Sequence, residues 1–149
     1  MLRGLRDFLD ELASPRDRAS AAPPSMEMAS AVLLVEVMRS DGEASPAERA
    51  AVLRMLQRTL GADVDAPALL EAAEEASRRA NDFYTFTSVL NERMAQAQKI
   101  ELVERMWRVA YLDGSADPGE TSVISKVAGL LHVTHGEYIA AKMRAQPAD

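Results

Sequence analysis

Two short stretches concentrate the candidate chemistry of this chain. "DGEASPAE", Asp41 to Glu48, and "DGSADPGE", Asp113 to Glu120, agree at five of eight positions and pair Ser45 with the chemically similar Asp117. Asp41, Glu43 and Glu48 in the first, and Asp113, Asp117 and Glu120 in the second, are oxygen ligands of the kind that suits a divalent cation such as Ca²⁺ or Mg²⁺. Glu43 and Asp117 are the weaker candidates, because Ser115 and Ser45 stand at their positions in the other stretch. Neither stretch is an EF-hand loop. The sixth position is Pro46 or Pro118 where that loop needs Gly, and the twelfth is Val52 or Ile124 where it needs Glu.

Most of each stretch also has a local cause. Gly42 and Gly114 can end an incoming helix in the left-handed conformation without steric cost. Ser45 and Asp117 are N-cap residues, and Pro46 and Pro118 suit the first helical position. Glu48 and Glu120 then fall where a capping box needs an acid, and each cap is worth about 1 kcal/mol. Asp41 and Asp113 do not fit that scheme. Each stands at the C-terminal end of a helix, where the dipole disfavours an anion by about 0.3–1 kcal/mol. Something nearby must compensate. Backbone amides of the same turn or of the following helix would serve, and so would a cation or a cationic partner.

Other chemistry is thin. His132 and His135 in "HVTH" span an expected turn, with no cysteine and no acidic third ligand close in sequence, and read as surface or capping residues. Trp107 and Tyr111, one helical turn apart, read with Met106 and Phe83 as core. No Gly-x-Ser-x-Gly elbow, phosphate-binding glycine loop or HExxH motif is present. The paired carboxylates lie in turns rich in Ala, Ser and Pro rather than in an apolar cleft that would raise their pKa values. No catalytic residue is expected, and the chain does not read as an enzyme.

The elements that must position these turns are helices. The 149 residues are 48% apolar and 27% charged but only 5% aromatic, a balance that favours a helical globular domain. The net charge of −6 argues against nucleic acid, whose phosphates need concentrated Lys and Arg. Without cysteine there are no disulfides or thiolate sites, which suits a cytoplasmic protein. No apolar run approaches the roughly 20 residues of a membrane span.

Residues 1–25 read as an amphipathic helix, with Leu2, Leu5, Phe8, Leu9 and Leu12 on one face, followed by the linker Ala13 to Ser25. Its balanced charges favour docking or self-association over peripheral membrane contact. Residues 26–149 read as the main domain. "MEMASAVLLVEVMRS" is apolar on several sides, as for a central helix, and "KIELVERMWRVAYL", Lys99 to Leu112, is a second buried helix. Helical periods recur after Pro46, Asp65, Asp82, Pro118 and Thr134. The expectation is an all-α, compact bundle of about seven or eight helices. Ala51, Val52, Met55 and Leu56 match Val123, Ile124, Val127 and Ala128 in register, so an internal duplication of a helix–Asp-Gly turn–helix unit is expected as well.

The stretches "VEVMRSDGEASPAERAAVLRML" and "LVERMWRVAYLDGSADPGETSVISKVAGLL" resemble the TerB-like family, named for tellurite resistance protein B. The resemblance runs from about Met26 to Lys142. It implies an all-helical fold with repeated Asp-Gly turns, each followed by a Glu seven residues after the Asp. It also implies a metal site at those turns, carried here by Asp41, Glu48, Asp113 and Glu120. Related domains occur in tellurium-resistance and stress-response proteins and at the head of a membrane-anchored J-domain co-chaperone. The function expected is therefore a non-enzymatic stress-response domain that binds a divalent cation or a basic partner at its acidic turns. The alternative is a structural interaction or co-chaperone-like module, self-associating or holding a protein partner, in which the turns only cap helices.

Overall fold

The computed structural model describes residues 23–42 and 44–147, and at Asp113 the backbone alone. The expected amphipathic helix at Leu2 to Leu12 and the ligand candidate Glu43 lie outside the described residues. Within them the fold is all helical: α1 Met26–Arg39, α2 Pro46–Leu60, α3 Ala66–Arg79, α4 Tyr84–Arg93, α5 Gln96–Ala110, α6 Pro118–Leu130 and α7 His135–Ala145.

The apolar run of α1 leaves it no polar face long enough to meet water, so it must be surrounded. Ala29, Ala31, Val32, Leu33, Leu34, Val35, Val37 and Met38 are all buried. α2, α3, α4, α5 and α6 each pack against it. α5 is the second pillar, burying Leu102, Val103, Met106, Trp107, Val109 and Ala110 and carrying α7 on one side. Trp107 is fully buried, stacked on Tyr111 at 5.9 Å and tilted against Tyr138 at 5.4 Å, with Lys142 Nζ 5.3 Å from its ring centroid. The core reading of Trp107 holds, and Tyr111 is half-buried beside it.

Caps set most helix starts. Ser25 accepts from Met28 N at 3.0 Å, Asp65 from Ala68 N at 3.1 Å, and Thr134 from Glu137 N at 3.2 Å. α5 differs from its sequence expectation, beginning at Gln96 rather than Lys99. No side chain caps it from the N-cap position. Instead the Gln98 side chain accepts the Ala95 N–H at 2.8 Å, a reciprocal contact that leaves no cap residue to read. At its other end α5 tightens into a 3₁₀ turn, Tyr111–Asp113, rather than continuing to Leu112 as α-helix.

Ion pairs tie the outer helices. Arg49 on α2 grips Glu74 on α3 through Nε and a terminal nitrogen at 2.8–3.1 Å, and the pair leaves Glu74 largely covered rather than exposed. Glu104 on α5 takes both Arg108 and Arg144, each at 2.6 Å.

Candidate functional site

The two Asp-Gly turns are built from the same parts. Gly42 and Gly114 hold φ values of 123° and 103°, backbone that an L side chain rarely adopts. Ser45 Oγ accepts the Glu48 N–H at 3.1 Å and Glu48 Oε1 accepts the Ser45 N–H at 3.1 Å. In the second turn Asp117 Oδ1 accepts the Glu120 N–H at 2.8 Å and Glu120 Oε1 accepts the Asp117 N–H at 2.9 Å. Both are complete capping boxes, with Pro46 and Pro118 in the first turn of the helix.

The approaches to the turns differ. α1 runs as α-helix to Arg39, and Ser40 closes it, its N–H and hydroxyl both donating to Val37 O at 3.2 and 2.8 Å. Gly42 N then donates to Arg39 O at 3.1 Å. α5 reaches its turn through the 3₁₀ segment, and Gly114 N donates to Tyr111 O at 2.9 Å. Burial differs too. Glu48 is partly exposed, whereas Glu120 is 2% exposed and makes further interactions beyond its cap.

The turns meet. A Cβ built on Gly119, the second residue of α6, would stand 3.4 Å from Ser40 O and 3.4 Å from Asp117 Oδ1. The C-terminal carbonyl of α1 therefore abuts the N-terminus of α6, a head-to-tail arrangement that the two helix dipoles favour. The sequence carried a signal for this contact: alanine stands at position 47 of the first turn where glycine stands at 119 of the second.

The six candidate ligands fall into distinct situations. Asp41 is exposed at the negative end of α1, and no described residue donates a hydrogen bond to it or pairs with it. Glu48, Asp117 and Glu120 each commit an oxygen to a cap. Asp113 ends the 3₁₀ turn, and its side chain, like all of Glu43, lies outside what is described. Among the described residues no group of three or more His, Asp and Glu side chains is assembled closely enough to hold a metal.

The histidines do not converge as ligands. His132 follows the C-cap of α6 with φ of 61°, the left-handed stop of a Schellman turn whose bonds run from His132 N to Gly129 O and from Val133 N to Ala128 O. His135 opens α7, its ring 6.1 Å from that of Tyr138. Both histidines are exposed at the surface, one as the left-handed residue after α6 and the other as the first residue of α7.

One polar contact was hidden from the sequence. Arg39, the last residue of α1, donates to Ser77 Oγ, and Ser77 donates in turn to Glu36 Oε1 at 2.6 Å. This chain pins the end of α1 to α3 directly beneath the first turn.

Compared with known proteins, the chain matches the family described as Tellurite resistance protein TerB over residues 27–143. No curated protein and no solved structure matches it.

Proposed function

The chain belongs to the TerB family, and on that premise we propose that it is a non-enzymatic stress-response domain of the tellurite-resistance type. In this reading its paired acidic turns take a divalent cation or a basic partner surface, and it works in the cytoplasm. The observation that carries the reading is the approach of Gly119 to Ser40, which gathers both turns at one edge of the bundle. Asp41 stands there exposed, at a helix end where its charge is unfavourable. A bound cation would offset that cost, and carboxylate oxygens are the ligands that Ca²⁺ and Mg²⁺ prefer. Asp41 and Glu48 would serve from one turn, Asp113 and Glu120 from the other, with Glu43 and Asp117 as auxiliaries.

A second reading has its own support. Both capping boxes are complete, so the turns justify most of their residues as architecture alone. In that case the domain is a structural interaction module and its partners bind elsewhere.

Thermal unfolding in Ca²⁺, Mg²⁺, Mn²⁺ and Zn²⁺ separates the two, with wild type beside the double variant Asp41→Asn, Asp113→Asn. A cation that binds only the folded state stabilises it by about 2.7 kcal/mol at a hundredfold excess over Kd. The cation reading expects a metal-dependent rise in Tm that the double variant loses. Absence of any rise at millimolar metal overturns it. A double variant that is merely less stable, with metal inert in both proteins, establishes the structural reading.

A further inference from the structure

Each acidic turn opens with an Asp-Gly peptide, and that pair has covalent chemistry of its own. Gly carries no side chain to shield its nitrogen, so the nitrogen can attack the carboxyl carbon of the preceding Asp and close a five-membered succinimide. A carboxyl oxygen leaves as water, taking the Gly N–H proton and the carboxyl proton with it. Water then opens the ring at either carbonyl. Opening at the main-chain carbonyl leaves isoaspartate, in which the backbone runs through the former side chain and the free carboxylate sits on Cα. Asp41–Gly42 and Asp113–Gly114 are the Asp-Gly pairs of the chain, and neither Asn81 nor Asn91 precedes a Gly.

We infer that Asp41–Gly42 is a site of spontaneous isoaspartate formation and that the fold spares Asp113–Gly114. Ring closure needs an Asp side chain free to turn onto the next nitrogen, and a nitrogen released from its hydrogen bond. Asp41 is exposed, and no described residue bonds to it. The pin from Arg39 to Ser77 stops two residues short of it. One contact has to open, the bond from Gly42 N–H to Arg39 O at 3.1 Å. Nothing stands within 4 Å of where a Cβ on Gly42 would be, so water can reach the ring.

Gly114 is equally open, so the difference lies ahead of it in the chain. Asp113 ends the 3₁₀ turn Tyr111–Asp113, whose successive i→i+3 bonds must open together before the ring can close. The Gly114 N–H donates to Tyr111 O at 2.9 Å, and Tyr111 is stacked on the buried Trp107. Asp117 cannot close a ring in this way, because Pro118 has no N–H. Conversion at Asp41 adds one carbon to the main chain of the first turn and moves its carboxylate. The inference stands whether or not that turn takes a cation.

The full chain is incubated for several weeks in H₂¹⁸O with EDTA, at neutral pH and physiological temperature, then digested with trypsin in ordinary water. Each succinimide that opens leaves one ¹⁸O in its peptide. Trypsin separates the two sites, releasing Ser40 to Arg49 and Val109 to Lys126, and electron-transfer fragmentation identifies the β-linked residue. The folded chain should convert Asp41 about fivefold faster than Asp113, the effect of an additional hydrogen-bonded turn to open. In urea the two rates should draw level, because the protection at Asp113 comes from the fold. Asp41→Glu, which lengthens the side chain past a five-membered ring, should abolish ¹⁸O uptake in the first peptide. Equal or reversed rates in the folded chain overturn the inference. So do a preference that persists in urea, absence of β-linked product at Asp41, and uptake that survives Asp41→Glu.

Discussion

Gly119 lies against the main-chain carbonyl of Ser40: a Cβ there would stand 3.4 Å from Ser40 O and 3.4 Å from Asp117 Oδ1, close contact for a methyl group. Two turns that are far apart in sequence and alike in their caps are thereby held side by side, at one end of α1. The same end is fixed from beneath by Arg39, Ser77 and Glu36.

Gly119→Ala is expected to change stability by no more than about 0.5 kcal/mol, since the added methyl just fits and alanine gains helix propensity. Gly119→Val forces branched carbons onto Ser40 O and should cost about 1–3 kcal/mol, the usual penalty of overpacking. Urea denaturation measures both. If the turns share a cation, Gly119→Val also weakens the metal-induced rise in Tm, whereas Gly119→Ala leaves it intact.

The two caps are alike in bonding but unequal in burial, and their removal should show it. Ser45→Ala is expected to cost about 1 kcal/mol, typical of an exposed cap. Asp117→Ala should cost more, toward about 2 kcal/mol, because Glu120 beneath it is buried and loses a neighbour that ordered it. For a chain of this size that corresponds to Tm shifts of roughly 2–4 °C and 4–8 °C by calorimetry. Equal losses at the two sites would show that burial of Glu120 adds nothing to the cap.

What the sequence disclosed and what it withheld follow a physical division. Ser45, Asp65, Asp117 and Thr134 were legible because a cap bonds residues three apart, and the apolar periods of α1 and α6 were legible because each helix buries its own stripe. The start of α5 was not, since Ala95 carries no cap and the break at Met94 has neither Gly nor Pro. The partners Arg49 with Glu74 and Arg39 with Ser77 lie on different helices, so no local spacing reveals them. For the site, the ligand candidates were named residue by residue, but the approach of α6 to the end of α1 rests on a tertiary contact at Gly119. The only trace of that contact was a glycine where the sister turn has alanine.

His132 occupies a left-handed position that favours glycine, with φ of 61°. Its side chain is exposed, and its carbonyl, which accepts from Gln96 Nε2 at 3.1 Å, would survive substitution. His132→Gly should therefore relieve about 1 kcal/mol of backbone strain, partly offset by the greater freedom glycine gives the unfolded chain. The expected outcome is a Tm unchanged or raised by up to about 4 °C. A clear fall would mean that the imidazole makes an interaction worth more than the strain. His135→Ala is the control, since His135 sits in ordinary helix.

Glu137 provides the pH-dependent test. The Thr134 backbone N–H, donating at 2.9 Å, holds its carboxyl below the ordinary value of 4.5, and the Gln96 side chain at 3.0 Å adds to the effect. A depressed folded-state pKa means that the unfolded chain binds the proton first as acid is added. The stabilisation is thus complete above about pH 4.5 and is lost as pH falls through the folded-state value. Glu137→Gln keeps an oxygen to accept both hydrogen bonds but cannot titrate. Calorimetry from neutral pH into acid should find a steeper fall in Tm for wild type than for Glu137→Gln, with the two curves converging at the acid end. Parallel curves would show that the cap gains nothing from the charge of Glu137 and that its hydrogen bonds alone hold the start of α7.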